Sequence, residues 1–156
     1  MPRVEEATFA DASAVARVLR DSISDLCAAD HHDNSDLIAR WAGGKTHDQA
    51  LSWIANPKTT VFVSREGDEV AGVGACGEGR IYLNYVAPEY RFKGHSKALL
   101  RRMEEALRQK GTTCARLTST VTAHRFYSAA GWHDEGQPQV MEDSLIGYPM
   151  AKDLDA

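Results

Sequence analysis

The sequence is short of cysteine, of long apolar runs and of repeats, and each shortage excludes something. Its three cysteines, Cys27, Cys76 and Cys114, are odd in number, far apart and form no CxxC pair. A disulfide framework and a cysteine-based zinc site are therefore not expected; reduced thiols in a cytoplasmic protein are. No apolar run approaches the ~18 residues of a membrane span, and the opening Pro2-Arg3-Val4-Glu5-Glu6 is polar and acidic, so neither a membrane anchor nor a signal segment is expected. No internal repeat or linker interrupts the 156 residues, a length that fits one domain over 1–156 with a full core. Hydrophobic residues at 43% and charged residues at 26% exclude a disordered or collagen-like chain.

What is present begins with an uneven charge. The formal net charge is −4, yet nine Lys/Arg stand against two acids (Glu104, Glu105) between Arg91 and Arg125, a local +7 that leaves −11 elsewhere. One basic stripe in an acidic chain suits a compact anionic ligand. Extended nucleic-acid binding normally needs a domain basic throughout, so none is expected.

The patterning reads β-α-α-β-β-β-α-β-α-β-β, a mixed α/β sheet with helices on its faces. Val4–Phe9 reads as a strand and Asp11 as the cap of a helix running to Cys27. Residues 30–34 read as a loop, and Thr46-His47-Asp48-Gln49 as a capping box. Glu66-Gly67-Asp68 joins two β-rich runs as a hairpin, and Arg80–Val86 is the next strand. Leu99, Leu100, Met103, Ala106 and Leu107 stripe one face of a helix over Gly94–Lys110. Thr113–Thr120 reads as a strand, Thr122–Ala130 as a short helix, and two further strands are expected in the tail.

Gly72-Val73-Gly74-Ala75-Cys76-Gly77 matches G-x-G-x-x-G, but it lies inside a strand and opens no helix. A dinucleotide fingerprint requires that helix, so these glycines read as places of close chain approach. The informative segment is Val86-Ala87-Pro88-Glu89-Tyr90-Arg91-Phe92-Lys93-Gly94-His95-Ser96-Lys97. A strand stops at a proline, a short basic loop follows, and a helix starts at Gly94. Unpaired N–H groups in a first helical turn, with Arg91, Lys93 and Lys97 nearby, make a phosphate cradle.

With these residues the chain resembles the GNAT superfamily of acyl-CoA-dependent N-acetyltransferases. Val86…Pro88…Arg91…Gly94…Ser96 fits its V-x-P-x-x-[QR]-x-x-G-x-[GAS] signature, and Phe126-Tyr127-Ser128-Ala129-Ala130-Gly131-Trp132 fits its aromatic-Tyr-x-x-x-Gly-aromatic signature. Val4–Asp11 and Tyr148–Leu154 resemble its first and last segments. The resemblance implies a mostly antiparallel central sheet flanked by helices on both faces. It implies acetyl-CoA as co-substrate, with Asn84, Tyr85 and Val86 facing the pantetheine arm and Phe92, Lys93, Gly94, His95, Ser96 and Lys97, beside Arg91, around the pyrophosphate. Thr120 stands where many relatives place a cofactor-contacting asparagine. Tyr127 matches the acid that protonates the leaving thiolate.

The general base is not matched: Ala115 stands where some relatives carry a glutamate. Glu78, or a water relayed through Tyr82 or the His31/His32 loop, are the remaining candidates. The resemblance places the His31/His32 loop beside the acceptor, and Trp41, on a helical apolar face, and Tyr82 are further candidates to contact it. His31-His32-Asp33-x-x-Asp36 reads as a solvated loop, and no metal is expected. The reading is N-acetyl transfer to a primary amine of a small molecule or peptide by direct attack in a ternary complex. Its alternative is a CoA-binding sensor without turnover, and a homodimer is left open.

Overall fold

A computed structural model describes residues 2–141 and 144–155. Strand β1 (Arg3–Glu6) leads through a 3-10 turn at Phe9–Asp11 into helix α1 (Ala12–Leu26). Asp11 stands at the N-cap of α1, as expected, but its side chain makes no capping bond to that helix. Its Oδ2 accepts the Thr8 N–H at 2.9 Å, closing the turn before the helix, and its Oδ1 accepts from Arg65 at 2.9 Å, tying that turn to the sheet. The loop expected at 30–34 is partly helical: α2 (Ala28–His31) ends where His32 and Asp33 take positive φ values of 51° and 58°. The Asn34 side chain then accepts the Asp36 and Leu37 N–H groups and starts α3 (Ser35–Gly43). Thr46 Oγ1 accepts the Gln49 N–H at 3.1 Å and starts α4 (His47–Ala55).

Strands β2 (Thr60–Glu66), β3 (Glu69–Gly77) and β4 (Arg80–Val86) form an antiparallel meander, turning first at Gly67 (φ +60°). Helix α5 (His95–Gln109), strand β5 (Cys114–Ser119) and helix α6 (Val121–Ala129) follow. The short strands β6 (His133–Asp134) and β7 (Gln139–Val140) then precede β8 (Ile146–Asp153). The sheet order is β1-β2-β3-β4-β5-β8-β6, with β7 also on β8. Among the described residues every pairing is antiparallel except β4 with β5.

The sheet divides two cores. On one face Phe62 and Ile81 pack with Leu99, Leu100, Met103 and Leu107 of α5. On the other, Val61, Val63, Val73 and Ala75 pack with Val15, Val18 and Leu19 of α1 and Ala50 of α4. Each leucine or methionine buried this way contributes about 1.5–3 kcal/mol of transfer free energy. The glycines of the false fingerprint let α5 lie close. A Cβ on Gly72 would stand 3.0 Å from Leu99 Cδ1, and one on Gly74 would stand 2.9 Å from Met103 Cε.

Two irregularities of β4 shape the site. Ala75 pairs with Leu83 and Cys76 with Ile81, so Tyr82 is an unpaired bulge. In a regular strand Ile81 and Leu83 would share a face; here Ile81 joins the α5 core and Leu83 packs on the α1 side. The bulge thereby turns Asn84 towards α5. Second, β4 and β5 are paired only at Arg80 and Arg116. Beyond that point the sheet opens.

Candidate active site

Between the far halves of β4 and β5 lies a cavity of about 420 Å³, bounded also by α1, α6 and the loop ahead of α5. A parallel pair that loses its hydrogen bonds presents free backbone groups along both edges of such a gap. Tyr82, Asn84, Tyr85 and Val86 line it from β4, Thr118 and Ser119 from β5, and Thr120, Phe126 and Tyr127 from α6 and its cap.

The loop from Val86 reaches α5 through a 3-10 turn at Pro88–Tyr90 and two left-handed residues, Phe92 (φ +64°) and Gly94 (φ +88°). Gly94 is the N-cap of α5. A Cβ there would meet only Pro2 Cγ, at 3.9 Å, so it is the backbone conformation that calls for glycine. Phe92 accepts the same region without that freedom, at a cost of about 1–2 kcal/mol, and its ring is 93% exposed beneath the Arg91 guanidinium. Within α5 the first N–H to bond back is that of Ala98, to Gly94 O at 3.0 Å. The N–H groups of His95, Ser96 and Lys97 precede it and carry the positive end of the helix dipole.

The residues of the expected anion cradle divide at the cavity. Arg91, Phe92, Gly94, His95 and Ser96 border it, whereas Lys93 and Lys97 lie outside its wall, exposed. The His95 side chain is turned inward and fully buried. Its Nδ1 is 2.6 Å from Ser64 Oγ and its Nε2 3.0 Å from Glu66 Oε1, so what it can offer the cavity is backbone. That buried chain fastens the first turn of α5 to β2.

Tyr127 is buried in the cavity wall against Phe126 and Trp132. Burial pushes its phenol well above the ordinary tyrosine value, and the Asn84 amide pulls weakly the other way. Cys27 also lines the cavity. Burial and the nearby Asp30 carboxylate push its thiol up to about 12, against a smaller downward pull from Thr122, while Cys76 in the core is pushed up to about 11. Both are protonated, poor nucleophiles at neutral pH.

Thr120 borders the cavity, but its hydroxyl oxygen caps α6 by accepting the Ala123 N–H at 3.1 Å, leaving its O–H to donate. Tyr82, at the bulge, is 47% exposed and does line the cavity. His31, His32 and Trp41 do not. His31 is fully buried, with Nε2 2.8 Å from Ile23 O and Nδ1 accepting the Asp33 N–H at 3.0 Å, and Trp41 packs with Ile23 and Leu145. Glu78 stands exposed at the turn before β4, 3.9 Å from Lys58, away from the cavity. Among the described residues the cavity wall contains no carboxylate, and no group of three or more His, Cys, Asp or Glu comes together. No helix among them is long and apolar enough to cross a membrane.

Two side-chain contacts carry no sequence signal. Asp30 of α2 accepts the Val121 N–H at 2.7 Å, the Thr122 N–H at 3.1 Å and the Thr122 hydroxyl, so a carboxylate 91 residues away caps the helix that bears Tyr127. Asn84 acts through its side chain as well as its backbone, donating from Nδ2 to Ser96 O at 3.1 Å.

The fold that frames this cavity is shared with solved acetyltransferases. The acetyltransferase (GNAT) domain family matches residues 15–154, and the chain belongs to that family. Among solved structures it is similar to a GCN5-related N-acetyltransferase from Rhodopseudomonas palustris, with a TM-score of 0.87 at 16% identity over 98% of this chain and 96% of that one. It is also similar to the PaiA N-acetyltransferase of Thermoplasma acidophilum, solved in complex with coenzyme A (TM-score 0.81, 19% identity, 98% and 99% covered). YncA of Salmonella typhimurium, solved with its cofactor acetyl-CoA, is a third (TM-score 0.76, 20% identity, 100% and 95% covered). No curated protein matches the chain significantly.

Proposed function

We propose that the protein transfers an acetyl group from acetyl-CoA to a primary amine of a small molecule or peptide, by direct attack in a ternary complex. The observation that carries this reading is the position of Tyr127: a buried phenol in the wall of the cavity that joins the β4/β5 gap to the first turn of α5. The N–H groups of His95, Ser96 and Lys97, with Arg91, suit a pyrophosphate. The β4 edge at Asn84–Val86 suits the amides of the pantetheine arm, and Thr120 has a donor to add.

In the reaction a neutral amine attacks the thioester carbonyl, a C–N bond forms and the C–S bond breaks. A backbone N–H near Val86 stabilises the oxyanion, and Tyr127 supplies the proton to the departing sulfur. With Glu78 at the turn before β4, away from the cavity, the nitrogen gives up its proton to water at Tyr82 or to the phenolate itself. The −11 charge outside the basic stripe favours cationic acceptors by long-range attraction.

Calorimetry of acetyl-CoA binding tests the donor half. The wild-type protein is expected to bind with a Kd of about a millimolar or tighter and to melt at higher temperature in its presence. Gly94→Glu, which adds bulk and negative charge at the α5 cap, should abolish both effects while the chain stays folded. A folded wild-type protein that takes up no acetyl-CoA would refute the reading.

A further inference from the structure

The buried chain Ser64–His95–Glu66 is built to hold a proton as well as a helix. Ser64 and Glu66 share the α5 face of β2 by the strand's period of two, and the ring of the first α5 residue lies against both. Ionised, Glu66 only accepts, so His95 Nε2 carries a hydrogen towards it at 3.0 Å. That N–H is the first cause holding the Glu66 carboxyl below the usual carboxylate range. Nδ1 meets a hydroxyl at 2.6 Å. Ser64 can donate to a neutral ring or accept from a charged one, so the same contacts serve imidazole and imidazolium. The ring can change charge without losing a bond.

Its other surroundings carry mixed charge. From the turn before α5 the Tyr90 ring stands 6.0 Å away, edge to face, with Glu69 on its hydroxyl, Glu89 beside it and the Lys93 ammonium over its face. Gly72 of β3, Pro2, and Val4 opposite Ser64 on β1 bring no charge. In the free protein the pull of the carboxylates, Glu66 foremost, is set against the positive end of the α5 dipole. An anion at the same end of the helix tips that balance. Resting on the reading that acetyl-CoA binds there, we propose that His95 is the positioning residue of the anion cradle and takes up a proton as the pyrophosphate arrives. The proton comes from solvent, which the chain reaches through the partly exposed Glu66. Both ring nitrogens then donate, Nδ1 to Ser64 and Nε2 to Glu66, holding the first turn in place while the added charge offsets the anion's. By linkage, a proton bound with the cofactor makes affinity rise as pH falls through the range in which imidazole charges, about pH 8 to 5.

The test is calorimetry of acetyl-CoA binding to the full chain near pH ~7, in buffers of low and high ionisation enthalpy, which counts the protons taken up. Wild-type protein is expected to take up more than His95→Asn by a sizeable fraction of a proton. The cofactor's own phosphates titrate alike in both and cancel in the difference. Between about pH 8 and about pH 6 the wild-type Kd should therefore fall roughly 2- to 5-fold further than the variant's. In thiol-release assays with a panel of phenethylamine, spermidine and an alanyl peptide, the variant's KM for acetyl-CoA should rise by more than its kcat falls. Where His95→Asn does not fold or binds too weakly to titrate, Glu66→Gln, which keeps the ring and removes its ionised partner, is read in the same way. A folded variant that matches or exceeds wild type in proton uptake, or whose loss lies in kcat alone, overturns the proposal and leaves the cofactor reading intact. A folded wild-type protein that binds no acetyl-CoA removes that reading instead.

Discussion

Tyr127 and Cys27 line the same cavity, and burial raises both of their acid groups, with opposite consequences. For the thiol it means silence. Replacing Cys27, Cys76 and Cys114 together by alanine is expected to leave turnover intact apart from packing losses, as thiol-release rates on purified protein will show; lost turnover with intact acetyl-CoA binding would give a cysteine a role. For the phenol, on the proposed reading, burial keeps the proton in place until the thiolate departs. Tyr127→Phe should therefore lower kcat by ~10²–10⁴-fold with acetyl-CoA affinity nearly unchanged. Because the raised phenol stays protonated through the ordinary tyrosine value of ~10, it should contribute no alkaline fall in kcat up to that pH. A wild-type fall centred near ~10 that disappears in Tyr127→Phe would contradict that ordering. Residues such as Arg91, Gly94 and Tyr127 were legible because their spacing within one segment carries the pattern. The inward turn of the His95 ring was not, since it is set by Ser64 and Glu66, some thirty residues back.

Helix α6 illustrates how elements are held by what lies far along the chain. Thr120 caps it from within the segment, and Asp30 caps it from α2. Asp30→Ala strands the Val121 and Thr122 N–H groups and is expected to destabilise the fold by about 1–3 kcal/mol, read by chemical denaturation. An unchanged midpoint would mean that solvent replaces the carboxylate at no cost. The long elements were legible in the sequence: the apolar stripe of α5 runs from Leu99 to Leu107, more than two turns, and the β2–β3 hairpin has its glycine turn. Helix α2, four residues long, and strand β7, two residues long, are too brief for any period to register. The bulge at Tyr82 was hidden for a different reason. Ile81 and Leu83 alternate as a regular strand would, and only the register with Cys76 and Ala75 shows that they face opposite ways.

At the scale of the whole molecule, charge and topology converge on one opening. The segment with nine bases supplies α5, β5 and most of α6, the elements that frame the cavity beside β4, while the acidic remainder covers the rest. Long-range attraction of this kind is screened within ~8 Å at physiological ionic strength. The association rate of acetyl-CoA, measured by stopped flow, should thus fall as salt rises; a salt-independent rate would confine recognition to contacts inside the cavity. Past the Arg80–Arg116 pair the sheet opens into that cavity. The measurement closest to this account follows free thiol and acetylated amine, the latter by mass spectrometry, from wild-type protein given acetyl-CoA and the amine panel. The account predicts that the two appear in equal amounts with at least one amine and that Tyr127→Phe slows both alike. Tight acetyl-CoA binding with no acetylated product from any amine would contradict it and leave a CoA-binding sensor in its place.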